Sequence, residues 1–275
     1  MPATYAHRVF GRRVVREIPA GEIAELISAH PDLFEIGLIG PDILFFFHPL
    51  SHHPVNRIGH RLHDESGLSF LDRELCRMAC EGQIAYLLGF ICHYALDSEC
   101  HTLVEYYIDK LGRGHSDIET DLERMLMLRD GLNPTRHVPA AGIRNTGKNA
   151  AAIAPFYGIE AWEIRTALTT MKLVGKLLTP STSLKHKLLT MAGEWIGEGS
   201  VVSQLTMDRI PDPVYEESNQ TIAARMEQAV PVAVALMENF LAWRRGEDAL
   251  SQRFQPDFSY DEQELARLKE RDTRV

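Results

Sequence analysis

Apolar positions recur along most of this chain with the three-to-four-residue spacing of amphipathic helices, and no convincing run alternates with the period of a strand. Residues 21–29 (GEIAELISA), which follow Pro19, carry that spacing, and Leu71–Leu88 and Tyr86–Leu111 extend it over long segments. Asp117–Arg129 continues as a helix with acidic residues early and Arg124 and Arg129 late, as the helix dipole prefers, until Gly131-Leu132-Asn133-Pro134 ends it. After a stretch rich in Ala, Gly and Asn at 140–150, the segments 159–178, 184–196 and 215–245 again predict helices. Asp261–Arg274 reads as a last, highly charged amphipathic or fraying helix. The predicted fold class is all-α.

At 275 residues and 45% hydrophobic content the chain can bury a full core, as one large domain or two small ones. The longest apolar stretches, near 84–92 and 229–243, are too short or too interrupted to cross a bilayer, where about 20 apolar residues are needed. No transmembrane segment is predicted, and the N-terminus lacks a signal-length apolar run, so the expectation is a cytoplasmic protein with peripheral membrane contact left open. A formal charge of −9 argues against a stable nucleic-acid partner, because neutralising phosphates takes a surplus of Lys and Arg. Cys76, Cys80, Cys92 and Cys100 form no close CxxC pair and suit small packing residues in a reducing compartment.

The chemistry concentrates in one place. His93-x-x-x-Asp97-x-x-x-His101 puts three potential ligands on one helix face, and His115-x-x-x-Glu119 repeats the spacing one element later. Either half alone reads equally as a hydrogen-bonded core histidine or a solvated helix face. Together, imidazole nitrogens and carboxylate oxygens in phase point to zinc, with Asp97 placed to bridge two ions. The apolar run Ile84–Cys92 would carry His93 and Asp97 into the core, where such groups need partners. Upstream, Gly40-Pro41-Asp42 precedes the apolar Ile43–Phe47, so Asp42 is predicted to begin a buried helix with its carboxylate inward. His48, His52, His53, His60 and His63 follow in a dense cluster, and Phe45-Phe46-Phe47 is either core or an interfacial apolar surface.

In Thr4-Tyr5-Ala6-His7, Gly40-Pro41-Asp42, His63-Asp64-Glu65, Leu88-Gly89-Phe90-Ile91-Cys92-His93-Tyr94-Ala95-Leu96-Asp97 and His115-Ser116-Asp117-Ile118-Glu119, in that order, the chain resembles the zinc-dependent phospholipases C and the related fungal single-strand nucleases. It is most similar to the bacterial intracellular phospholipase C-like branch, and the resemblance covers about residues 1–130. It implies a multi-helix bundle in which residues 1–139 bind metal; the length of 140–275 suggests additional helices packed on it in one continuous domain, or a homodimer surface. It also implies one zinc held by Asp42, His63, His93 and Asp97, a second held by His101, His115 and Glu119, and a third position where Asp97 reaches toward His7. The secreted relatives complete that third site with an N-terminal tryptophan, whereas this chain begins Met1-Pro2. His60 competes with His63, which better fits the Leu-His-acid pattern. The implied activity is zinc-dependent phosphoester hydrolysis, with water attacking a phosphodiester and Asp42 serving as ligand and proton acceptor; the partner is a phosphoester small molecule or a phospholipid head group. A non-catalytic, metal-stabilised helical binding protein is the alternative from another class. A nuclease or phosphatase acting on a soluble phosphoester is the alternative among enzymes.

Overall fold

A single long helix, Glu81–Leu111, runs through the middle of the molecule, and every residue from Ile84 to Asp97 on it is buried. A helix apolar on all sides needs cover on all sides. The computed structural model, which describes residues 4–49, 51, 53–196, 206–207 and 210–272, supplies that cover with other helices and, among the described residues, no strand. In chain order these are α1 (Thr4–Glu17), α2 (Glu22–Ala29), α3 (Pro31–Gly37), a 3-10 segment (Gly40–Phe46), α4 (Pro54–His63), α5 (Gly67–Leu71) and α6 (Glu74–Arg77). The central helix is α7, followed by α8 (His115–Arg129), α9 (Gly147–Tyr157), α10 (Ala161–Leu178), α11 (Ser183–Ile196), α12 (Glu216–Arg244) and α13 (Glu262–Asp272). Helices α1, α2, α3, α8, α12 and α13 all pack on α7.

The tightest of these contacts is the crossing of α3 over α7. A Cβ on Gly89 would stand 2.8 Å from Gly37 Cα, and one on Gly37 would stand 2.9 Å from Gly89 Cα, so the two backbones touch with no side chain between them. Helix α7 ends at Gly112, which takes the left-handed conformation (φ 62°) and donates its N–H to Ile108 O, so the chain reverses within three residues into α8. That reversal lays the first turn of α8 beside the C-terminal half of α7. Farther along α8, Arg124 donates to Asp121 Oδ1 at 2.8 Å and Asn219 of α12 donates to Asp121 Oδ2 at 2.7 Å, a buried polar cluster that ties α12 to α8.

Several sequence expectations shift. The continuous helix over Leu71–Leu88 is instead two short helices and the start of α7, because the backbone is extended at Arg73 (ψ 139°) and Cys80 (ψ 167°). The carbonyls of Cys76 and Ala79 there accept from Arg244 of α12 rather than continuing a helical ladder. The helical period persisted because both pieces bury the same kind of face. Asp42 sits in a 3-10 segment rather than at the start of an α-helix, and residues within the Ala/Gly/Asn-rich stretch begin α9 at Gly147. Three of the cysteines are buried, whereas Cys80 is exposed at the start of α7. Phe46 and Phe47 are core residues, and the Phe45 ring contacts the rings of His60 and His63.

Gly89→Ala forces the α3 and α7 backbones apart and should lower unfolding stability by about 2–3 kcal/mol, read as a shifted urea midpoint. Gly112→Ala meets nothing within 4 Å and should cost only about 1 kcal/mol for its left-handed backbone. Equal losses would show that the crossing yields without strain.

Candidate metal centre

Five ligand-type side chains come from the α7–α8 hairpin. Because four residues make just over one helical turn, His93, Asp97 and His101 line one face of α7, and His115 and Glu119 line the facing turn of α8. The remaining three arrive from separate elements: His7 from α1, Asp42 from the 3-10 segment and His63 from the last turn of α4.

All eight residues converge in three groups whose potential donor atoms lie within 4.8 Å of one another: His7, His93 and Asp97; Asp42, His63 and His93; and His101, His115 and Glu119. Asp97 occupies the middle. Its Oδ1 is 3.2 Å from His7 Nε2 and 3.7 Å from His101 Nε2, and its Oδ2 is 3.1 Å from His93 Nε2. His63 Nε2 is 2.9 Å from Asp42 Oδ1, and His115 Nε2 is 3.1 Å from Glu119 Oε1. The partition differs from the expected one, since Asp97 groups with His7 and His93 while Asp42 and His63 form their own group with His93. His101, despite its short spacing from Asp97, does reach His115 and Glu119.

Local contacts aim the rings. His63 Nδ1 is 2.8 Å from Gly59 O, and His101 Nδ1 is hydrogen-bonded to Phe258 O, so in each case Nε2 is turned toward the carboxylates. Gly40 holds the Asp42 segment in a left-handed turn (φ 56°), and a Cβ there would meet His93 Cδ2 at 2.6 Å. Only glycine satisfies both demands. The segment before α13 closes another side: Phe258 N–H donates to His63 O at 3.2 Å, and its ring packs against His63 and His93. Glu123, one turn beyond Glu119, accepts the N–H groups of Tyr5 and Ala6 and thereby fixes the start of α1 and the approach of His7. Burial pushes the Glu123 carboxyl up to about 8 against those two donors.

Phe258, Glu123 and the contact of Gly40 with the His93 ring were not anticipated. Glu123 extends the His115, Glu119 spacing by one more turn, which is a readable signal, whereas Phe258 carries none. Among the other histidines, His60 packs at a tilt against Phe45, while His48 and His53 pack on Phe47, and His53 accepts from Val55 N–H at the start of α4. None of these three enters the groups above. His52 lies outside the described residues.

The donor atoms suit a cation. His93 Nδ1, His93 Nε2 and His7 Nδ1 are buried without a hydrogen-bond partner among the described residues, and the 3.1 Å approach of His93 Nε2 to Asp97 is not aligned as a hydrogen bond. Leaving such groups unpaired costs roughly 1–3 kcal/mol each. The His7 and His93 rings are stacked with centroids 4.2 Å apart. Nitrogen and carboxylate oxygen donors without thiolates make up a zinc-type set.

In the metal-free protein burial opposes ionisation throughout, yet the imidazoles of His93, His101 and His7 hold Asp97 well below the usual carboxylate range. Burial likewise disfavours a charged His63, but the Asp42 carboxylate outweighs it and raises that ring to about 9, while His63 and His93 hold Asp42 low. Because His63 is raised and Asp42 lowered on folding, their contribution to stability is complete between about pH 4 and 6.5. It fades as pH climbs through about 9. An NMR titration of the chelated protein should place the His63 midpoint near 9, and Asp42→Asn should return it toward the ordinary range. An unmoved midpoint would rule out Asp42 as the cause.

A family model described as zinc dependent phospholipase C matches residues 6–167, and the segment from His7 to Glu119 lies wholly inside that match. No curated protein and no solved structure matches the chain significantly. The match covers more than half of the chain and every member of the three convergent groups; this all-helical protein therefore belongs to the zinc-dependent phospholipase C family of hydrolases.

Proposed function

We propose that the protein is a zinc-dependent phosphoester hydrolase that cleaves a phosphodiester with water, and that His7, Asp42, His63, His93, Asp97, His101, His115 and Glu119 hold the metal. The observation that carries this reading is the convergence of eight ligand-type side chains around one buried carboxylate, Asp97. At least two zinc ions are held, one among Asp42, His63 and His93 and one among His101, His115 and Glu119. The group of His7, His93 and Asp97 is the third position, with Asp97 linking it to the others.

Zinc held there supplies Lewis acidity, offsetting the charge of a phosphoryl group and making water more acidic. The chain supplies orientation and proton traffic. Asp42 stays ionised at neutral pH in its pocket of imidazoles and accepts the proton that the attacking water gives up. Its low basicity makes it a short-lived holder of that proton. Gly59 O and Phe258 O fix the rings of His63 and His101, so neither has to reorganise when charge develops. His115, whose side chain is about a third exposed, marks the side open to solvent through which a phosphoester enters.

Elemental analysis of the purified protein should give at least two zinc per chain, and a panel of chromogenic phosphodiesters should be turned over in a chelator-sensitive way. Asp97→Asn should lower both zinc content and turnover more than tenfold, because it removes the carboxylate that His7, His93 and His101 approach. His60→Ala, which removes a ring outside them, should leave both within about twofold. Retained zinc with no chelator-sensitive turnover would favour the non-catalytic binding reading, and one ion or none would overturn the multi-zinc site.

A further inference from the structure

Helix α10 has two apolar faces. Ile164, Ala167, Leu168, Met171 and Leu178 are buried on one side, as in any helix packed on a core. At roughly 100° per residue, Trp162, Leu173 and Leu177 fall within about 60° of one another on the opposite side, with Arg165, Lys172 and Lys176 along one flank. Helix α11 repeats the arrangement, with Leu184, Leu188 and Met191 within about 60° and Lys187 beside them. All six of these apolar residues are more than half exposed. The two helices meet across the short Thr179–Thr182 turn, where Lys185 Nζ donates to Lys176 O at 2.9 Å and holds the start of α11 against the end of α10.

Charge separates this region from the rest of the chain. Residues 161–191 carry five Lys/Arg and one Asp/Glu in a protein whose formal charge is −9. None of their lysines forms an ion pair among the described residues; Lys172 and Lys185 donate only to backbone carbonyls. An apolar stripe with a basic flank and a tryptophan at one end, on an otherwise acidic protein, is complementary to an anionic lipid surface. A self-associating surface has no need of uncompensated cations. The same helix also reaches the metal centre: Met171, Val174 and Leu178 line a cavity of about 70 Å³ whose wall includes Glu119.

We propose that the exposed face of the α10–α11 hairpin is a membrane-docking surface that seats the protein on anionic bilayers, so that the phosphoester it hydrolyses is presented from a lipid surface. The docking stands on the hairpin alone, and its link to catalysis rests on the hydrolase reading above. Neither helix needs to cross the bilayer, and no described helix is long and apolar enough to do so.

The zinc-loaded full chain is tested by cosedimentation with phosphatidylcholine vesicles, with and without phosphatidylglycerol, together with turnover of a soluble chromogenic phosphodiester and of vesicle lipid. Binding should require phosphatidylglycerol and weaken with salt. Leu173→Gln with Leu177→Gln, and separately Lys176→Glu with Lys187→Glu, should each weaken vesicle binding by at least about tenfold. Both pairs should slow hydrolysis of vesicle lipid while leaving zinc content, the thermal midpoint and turnover of the soluble substrate unchanged. Absence of wild-type binding to both vesicle types overturns the docking surface, even if soluble turnover shows the hydrolase to be real. A concentration-dependent dimer that the leucine variants abolish, without vesicle binding, assigns the face to a second copy instead. Vesicle binding with no turnover of any phosphoester supports the docking surface and removes the hydrolase reading.

Discussion

The structure is organised around a carboxylate where an all-apolar helix would place a methyl group. Asp97 lies in the buried stretch of α7, and a charge there is sustained only if its neighbours are chosen for it. Three imidazoles approach it from α1 and from one turn above and below on α7 itself. Buried nitrogens of His7 and His93 without hydrogen-bond partners beside that carboxylate are donors that a divalent cation would satisfy, which is why the cluster reads as a metal centre rather than as a set of core salt bridges.

That requirement explains features elsewhere that make little sense alone. The Gly37–Gly89 crossing brings α3, and with it the 3-10 segment bearing Asp42, against the very turn of α7 that carries His93. Gly40 then lets the backbone lie on the His93 ring. On the other side Tyr94, next to His93, donates to the carbonyls of Arg253 and Pro256, so the segment that carries Phe258 is anchored to α7 before it reaches His63 and His101. Glu123 does the same for α1 by gripping its first free N–H groups. His63 and His101 are oriented by backbone carbonyls, and the Asp42 segment by a glycine against the His93 ring.

How much of this was legible depends on whether the information is local. His93, Asp97, His101, His115 and Glu119 were readable because a helical period fixes which residues share a face. Asp42, His63 and His7 could be named only through the ordered resemblance, since nothing in their own neighbourhoods says which element they face. The resemblance also anticipated the grouping of His101, His115 and Glu119 and of Asp42, His63 and His93; only the placement of Asp97 with His7 and His93 rather than with Asp42 depends on how α1 and α4 approach it. Phe258 stayed invisible for the same reason: a backbone carbonyl has no sequence signature, and its partner lies 157 positions away. The false helix over Leu71–Leu88 had another cause. Periodicity reports burial, and it carried across the extended residues Arg73 and Cys80 because the pieces on either side bury the same kind of face, while Arg244 takes up the carbonyls of Cys76 and Ala79.

Helix α10 shows where that logic leads at the surface. The rule that read the core, apolar residues in phase on one face, predicts a helix with one buried side and one polar side, and α10 departs from it by being apolar on two. Its inner face behaves like the others, and Met171, Val174 and Leu178 extend that face to the cavity wall shared with Glu119. The outer leucines find no cover among the described residues, and Leu→polar changes there would remove no core contact, so folding alone does not account for them. Nor does solubility, which an exposed apolar stripe works against. What remains is recognition, and the neighbouring cations on an acidic chain select its sign. Thus one helix lines, on its inner side, the cavity that Glu119 also lines and, on its outer side, carries an exposed apolar stripe.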